Sequence, residues 1–370
     1  MRIGFEAKYL LQEGTGFFTY SYNLLRTLTE LSLPHEFRIF IRGNTEKKER
    51  IAGLFPLNTR ILNIDCPDFL YKHLMLPGFV SKERIGLFHY LYNSAALYTP
   101  APFVVTIHDL FYRHMKRNLS LKNYLSLSLQ MKRTAEKAKK IIAISHYTKS
   151  ELVDYLRIKP DKISVIYHGR DERFYWEHDQ EKLFSVKAKY NLPEKFFMYV
   201  GGFLKHKNLS TLIKAFSYFR KKSMLEHKLI LVGRNTRNLR ETIEEIRNYN
   251  LEDKILWLGY VAVEDLAAIY NLAEALIIPS FFEGFCFPLL EAMACGTPII
   301  ASRSSSLPEI AGDAAVYFEP YNYAELTQEM TEIAANRATR KRISEEGLKR
   351  AQLFDWKKCA AEVSAVYNEI

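Results

Sequence analysis

The sequence predicts an α/β protein built from two Rossmann-like, doubly wound domains that face each other across a cleft. Three observations predict it. At 370 residues the chain exceeds what one hydrophobic core organises. Short strand-like runs alternate with amphipathic helical stretches from end to end, the pattern of parallel sheets joined by βαβ crossovers. Those runs are apolar almost throughout instead of alternating, which requires burial on both faces. With 48% hydrophobic and 25% charged residues, 16 Gly and 13 Pro, the composition excludes a disordered or collagenous chain.

In the first half the expected strands are 2–5, 37–41, 60–64, 85–90, 103–107, 141–144 and 163–166. In the second half they are 196–200, 228–232, 255–258, 275–278, 298–301 and 315–318, separated by helices such as 208–222 and 238–250. Residues 169–195 are rich in charge and aromatic rings and lack strand periodicity, so the hinge is expected there. The domains are expected at 1–172 and 173–354, with a C-terminal helix, 355–370, packing back on the first.

Cys66, Cys286, Cys295 and Cys359 form no Cys-x-x-Cys pair and no zinc-ligand spacing with His, so they read as small buried apolar residues. No apolar stretch of about 18 residues exists, and Gly4 and Glu6 interrupt the start where a leader would need its apolar run, so a cytoplasmic protein is expected. The net charge of +10 is unevenly placed: residues 1–180 carry 27 Lys and Arg against 18 Asp and Glu, residues 181–370 carry 25 against 24. Nine basic residues, Arg113, Lys116, Arg117, Lys122, Lys132, Arg133, Lys137, Lys139 and Lys140, stand against Glu136 alone in 110–140. Large apolar groups such as Phe111, Leu121, Leu125 and Leu129 are interleaved with them. This suits a surface that dips into anionic lipid, and equally a solvated basic helix face. No helix-turn-helix, zinc-finger or RRM-type signature accompanies the charge, so nucleic acid is not the expected partner.

Ligands of open α/β sheets sit beyond the carboxyl ends of the strands, which makes the loops after strands the places to look. After 275–278 comes SFFEGFCFPLLEAMACGTPII, with Glu283 and Glu291 separated by seven residues. Gly284 lets backbone approach a ligand, Pro288 suits a first helical turn, and the amides of Phe285, Cys286, Phe287 and, past the proline, Leu289 would face an anion. Glu283 and Glu291 could accept hydrogen bonds from sugar or ribose hydroxyls. Alternatively Glu283 caps the helix and Glu291 is a solvated helix residue; the residues alone leave both open. After 196–200 come Gly201, Gly202, Lys205, His206 and Lys207, glycines for a tight turn and cations for a diphosphate, although on spacing alone paired lysines at a helix start read rather as solvated. His108 and Asp109 end the strand 103–107, and Gly14 and Gly16 precede an apolar-periodic helix as a close-approach loop.

The Glu-x7-Glu block, with SSLPEIAGDAA after it, resembles the donor-site signature of family 4 retaining glycosyltransferases of the GT-B fold. The likeness extends through GTGFFTYSYNLL, VVTIHDLFY, IAISHYTKSEL, VIYHGRD and YVGGFLKHKNLSTLIKAF, in the family's order. It implies a retaining, metal-independent hexosyltransferase whose second domain binds a nucleoside diphosphate sugar and whose first holds a saccharide acceptor; a lipid-linked glycan intermediate is the expected acceptor. It further implies catalytic roles for His108, Glu283 and Lys207. Donor contacts are implied from Gly14, Gly16, Gly201, Lys205, Lys207, Glu283, Gly284, Phe285, Cys286, Phe287 and Glu291. Relatives carry an arginine near the matching lysine where this chain has Gly202 and His206, which leaves Lys205 as the candidate substitute. They often carry Gly where Phe18 stands. SSLPEIAGDAA resembles mannosyltransferase-like members, which tilts the expected donor to GDP-mannose. No Asp-x-Asp pair is present, so no metal is implied. The basic stretch would then hold the enzyme on the inner face of the cell membrane. An epimerase or phosphorylase would share the architecture, and a basic nucleic-acid binder would share the charge.

Overall fold

The computed structural model describes residues 1–370 except 32, 44–48, 50, 52, 57–58, 117–118, 224 and 236–237. The chain forms two units, Met1–Gly169 with Asp355–Ile370, and Arg170–Phe354.

The first unit is built on seven parallel strands: β1 (Arg2–Glu6), β2 (Glu36–Ile41), β3 (Arg60–Asn63), β4 (Leu87–Tyr90), β5 (Phe103–Ile107), β6 (Lys140–Ala143) and β7 (Ile163–Val165). Their order is β3-β2-β1-β4-β5-β6-β7. β4 and β5 are buried at every position, as an apolar strand covered on both faces must be. The strand expected at 85–90 begins two residues late. The preceding helix ends through a left-handed Arg84, and the Ile85 amide closes on the Val80 carbonyl at 3.1 Å, which takes Ile85 into the helix cap. The helix Trp356–Asn368, capped by Asp355 on the Lys357 amide, packs on the helix Gly16–Glu30. A buried polar chain fixes it: Tyr367 Oη lies 2.7 Å from His89 Nδ1, His89 Nε2 lies 2.8 Å from Thr106 Oγ1, and Thr106 Oγ1 lies 2.7 Å from Tyr20 Oη.

The second unit has six parallel strands, β8 (Phe196–Val200), β9 (Lys228–Val232), β10 (Ile255–Gly259), β11 (Ala275–Ile278), β12 (Ile299–Ser302) and β13 (Val316–Phe318), ordered β10-β9-β8-β11-β12-β13. Its core clusters Phe197, Phe216, Phe219, Leu231, Ile277 and Met330 between sheet and helices. Both sheets are doubly wound, as the apolar runs and crossover spacing predict. Cys286, Cys295 and Cys359 are buried, whereas Cys66 is only partly so. No helix among the described residues is long and apolar enough to cross a membrane.

Candidate functional site

In each sheet the strand order reverses beside the first strand, at β1/β4 and at β8/β11, and the carboxyl ends of such a pair open onto a crevice. In the second unit the loops leaving β8 and β11 are tied together there. The Phe281 amide donates to the His206 carbonyl at 2.8 Å. Asn208, left-handed at φ 56°, donates its side-chain amide to the carbonyls of Pro279 (2.9 Å) and Pro320 (2.7 Å). A residue whose backbone and side chain both serve the turn explains why Asn stands there.

This stitching brings Lys207 and Glu283 together across 76 residues of sequence: Lys207 Nζ donates to Glu283 Oε1 at 2.6 Å. Ser280 Oγ donates to the same oxygen at 2.6 Å, and Ser305 Oγ accepts from the Glu283 amide at 2.8 Å. Ser306 Oγ donates to the Glu283 carbonyl at 2.9 Å. Burial works against charge on Glu283, but the Lys207 ammonium and the Ser280 hydroxyl outweigh it and hold the carboxyl below its usual range. Burial and then the neighbouring Lys207 charge pull His206 down to about 4, so it is neutral at pH 7. Lys205 is exposed.

Glu283 is not the helix cap. The helix Phe287–Ala294 starts from Cys286, left-handed at φ 77° and making no side-chain cap bond. The first turn of a helix presents amides that no intrahelical carbonyl takes, and Gly284, Phe285, Cys286 and Phe287 lead the chain into it. Phe285 packs edge-on to Phe287 and Phe354, with ring centroids 5.7 and 5.9 Å apart. Burial pushes the Cys286 thiol up, which keeps it a thiol. Gly201, at the end of β8, has no room for a side chain: a Cβ would lie 2.7 Å from Tyr199 Oη, which itself donates to the Gly202 carbonyl at 2.8 Å. Glu291 is not simply solvated. Its Oε2 accepts from Tyr270 Oη at 2.9 Å, and desolvation pushes its carboxyl up to about 7.

The raised Glu291 value sets a pH dependence. Between the ordinary value of 4.5 and about 7 the folded chain holds a proton that the unfolded chain has shed, so stability from this group falls as pH rises. Glu291→Gln removes that loss. The variant is expected to melt several degrees above wild type at pH 8 and level with it at pH 4.5, as followed by circular dichroism. Parallel melting curves at every pH would place Glu291 in water.

In the first unit His108 follows β5 and is only 5% exposed. Its Nε2 donates to the Leu91 carbonyl at 2.9 Å, which leaves Nδ1 as the acceptor. Burial pulls the ring down to about 4, so it is neutral at pH 7. Phe17 and Tyr20 meet it edge-on at 5.2 and 4.9 Å. Asp109 orients the loop through Asn93: Asn93 Nδ2 donates to Asp109 Oδ1 at 3.3 Å, and the His108 amide donates to Asn93 Oδ1 at 2.7 Å. Gly14 is left-handed at φ 76°, and Gly16 opens the helix that Thr15 caps through the Phe18 amide at 3.2 Å. Phe18, at a position where glycine was the alternative, stacks on Tyr22 at 5.6 Å.

Asn93, Asn208, Tyr270, Ser280, Ser305 and Ser306 support these groups and were not legible as site residues, although the run Ser304-Ser305-Ser306 was a visible sign of side chains serving a loop. Among the described residues no three His, Cys, Asp or Glu converge as a metal site.

Residues 180–350 match the family model for glycosyl transferases group 1, and residues 14–174 match that for glycosyltransferase family 4. The chain is similar to the O-antigen chain mannosyltransferase B of Escherichia coli, 28% identical over 288 residues that cover 75% of this chain and 74% of that one. It is also similar to the serotype-specific mannosyltransferase WbdA of Escherichia coli, 27% identical over 300 residues, 80% of this chain but 36% of the relative, so it spans about a third of that longer protein. Among solved structures, the sucrose-phosphate synthase of Thermosynechococcus elongatus superposes with a TM-score of 0.80 at 20% identity, covering 100% of this chain and 98% of that one.

Proposed function

Because the chain is a GT-B-fold glycosyltransferase related to the mannosyltransferase-like enzymes of group 1 and family 4, we propose that it is a retaining, metal-independent hexosyltransferase. It takes a hexose, with mannose from GDP-mannose favoured, and passes it to a saccharide acceptor that is a lipid-linked intermediate of cell-surface polysaccharide synthesis. The observation that carries this reading is the Lys207–Glu283 pair at the β8/β11 crossover. A half-buried ammonium held by a carboxylate can turn to a diphosphate, and it then offsets the charge that gathers on the leaving group as the glycosidic bond breaks. The backbone amides of the turn 284–287 that leads into the helix supply donors beside it. Glu283 and Glu291 accept from hydroxyls of the sugar and the ribose. Neutral His108, with Nδ1 unprotonated, accepts a sugar hydroxyl on the acceptor side.

Retention follows from front-face attack. The acceptor hydroxyl adds to the face that the diphosphate leaves, through an oxocarbenium-like state, and the departing phosphate oxygen takes the acceptor proton. The test is product analysis with GDP-mannose and saccharide acceptors. An α-linked product, with GDP released in step with it, supports the reading. Turnover that needs inorganic phosphate, or that inverts a sugar carbon without any acceptor, would make the enzyme a phosphorylase or an epimerase.

The membrane reading draws on the helix Leu121–Lys137. Leu121, Leu125 and Leu129 stand four residues apart and are 70%, 56% and 69% exposed, with Lys122, Lys132, Arg133 and Lys137 exposed around them. Arg133 Nη2 donates to the Leu97 carbonyl at 2.9 Å, and the Leu97 amide donates to His73 Nδ1 at 3.2 Å, which joins exposed Phe69, Leu74 and Tyr98 to this side. Apolar groups ringed by cations suit anionic lipid, where each cation contributes about 1 kcal/mol. Arg117 lies outside the described residues. Charge reversal at Lys116, Arg117, Lys132 and Arg133 is expected to release the protein from phosphatidylglycerol vesicles in flotation while sparing turnover of a soluble acceptor. Absence of wild-type binding at low salt would make this an ordinary solvated face.

A further inference from the structure

The crossover of the first sheet, at the carboxyl ends of β1 and β4, gathers polar groups that the donor chemistry leaves unused. Glu6, the last residue of β1, is 3% exposed, and its Oε1 has no hydrogen-bond partner among the described residues. Lys72 is 6% exposed and lies where the helical segment 68–82 widens into a π-type turn at Tyr71–Met75, a distortion that often marks a functional site. Its Nζ donates to Ser94 Oγ at 2.5 Å, in the segment that follows β4. Lys8 turns to Asp68 at 3.5 Å. Glu6 therefore lies in the field of Lys8 and Lys72 without pairing with either. Burial raises its carboxyl above the usual range against the pull of both lysines, and burial draws Lys72 down to about 8.

Two opposite charges held out of water but apart are costly unless a third group joins them. Chemistry selects that group. A carboxylate or phosphate would be repelled by Glu6, and an ammonium by Lys72. A hydroxyl donates to the first and accepts from the second. Beside them Tyr9, Phe17 and Tyr92 form a half-buried aromatic trio with ring centroids 4.4 to 5.1 Å apart. Phe17 reaches edge-on to His108 at 5.2 Å. Aromatic faces of this kind pack against the apolar face of a sugar ring.

We propose that Glu6, Lys72 and the Tyr9–Phe17–Tyr92 trio form the subsite for the acceptor sugar, and that they select an uncharged hexopyranose by clamping a ring hydroxyl between carboxylate and ammonium. This deepens the transferase reading and rests on it. Titration of the full chain with methyl α-mannopyranoside and with methyl α-glucuronoside, read by saturation-transfer NMR, tests it. The neutral glycoside binds wild type; Glu6→Gln and Lys72→Met each weaken it about tenfold or more, the scale of a lost charged hydrogen bond, and Tyr92→Leu weakens it about threefold or more through the lost aromatic face. The uronate binds at least as weakly as in those variants. Tyr92 is half-buried, so its variant decides the matter if the buried ones fail to fold. Unchanged mannoside affinity in the folded variants, or a preference for the uronate, overturns the subsite. GDP binding measured alongside separates the two claims: it stays at the wild-type level in all three variants, and its absence from wild type would sink the transferase reading instead.

Discussion

Replacing Lys207 by methionine is expected to cut transfer from a nucleoside diphosphate sugar by roughly 100- to 1,000-fold, the usual loss when one preorganised donor to a developing anion is removed. Stability changes too, and in a way that separates the two roles of the residue. The Lys207 and Glu283 side chains are 19% and 10% exposed, so removing the lysine alone strands a buried carboxylate. Breaking such a pair from one side costs about 3 kcal/mol or more, whereas neutralising both partners costs far less. Lys207→Met with Glu283→Gln should thus recover most of the melting temperature lost by Lys207→Met, and recover none of the activity. Glu283→Gln alone should lower turnover with the fold intact, since each hydrogen bond to an ionised acceptor contributes about 1.5–3 kcal/mol. Recovery of activity in the double variant would show that the lysine only balances the carboxylate.

The second large effect belongs to Gly233, which follows β9. A Cβ there would lie 1.9 Å from the Gly201 carbonyl oxygen, inside the backbone that leads to Lys207. Gly233 is also held on both sides: its amide donates to the Gly259 carbonyl and its carbonyl accepts from Trp257 Nε1, each at 2.9 Å. Because the clash is with backbone, no rotamer relieves it. Gly233→Ala is expected to cost about 3 kcal/mol, or ~10 °C in the melting of the second unit, and to weaken nucleotide binding with it. Gly259 is the control. It has a positive φ of 70° but open space around its Cβ position, so Gly259→Ala should cost only about 1 kcal/mol of backbone strain. Equal melting temperatures for the two variants would contradict the packing account.

The inner strands were legible because each is an apolar run of the right length, and burial on both faces writes that directly into sequence; β3, β7, β10 and β13 keep half-buried or exposed positions and were legible from their β-branched and aromatic runs. Boundaries slipped where the backbone changed hand, as at Arg84 before β4 and Asn250 after the helix Leu239–Asn248. Glu283 and Lys207 were legible as residues, one from its spacing to Glu291 and the other from its place after two glycines. Their contact was not, because it depends on the loop stitching by Asn208 and Phe281. Glu6 and Lys72 left no trace at all. One closes an apolar strand and the other sits in a short helical turn, and only the parallel pairing of β1 with β4, together with the Lys72–Ser94 hydrogen bond, brings both to one crossover. His108 reads as a polar residue at a strand end, yet burial among aromatic rings keeps it neutral and the Leu91 carbonyl orients it.

On the proposed function the β8/β11 crossover holds a diphosphate through Lys207. Calorimetric titration with guanosine, GMP and GDP, and with the uridine series in parallel, tests it most directly. For whichever base binds, the second phosphate should add about tenfold or more in affinity, and Lys207→Met should remove that increment while leaving nucleoside affinity unchanged. Equal affinity for mono- and diphosphate in wild type, or a Lys207→Met variant that loses all three ligands in the same proportion, would contradict it.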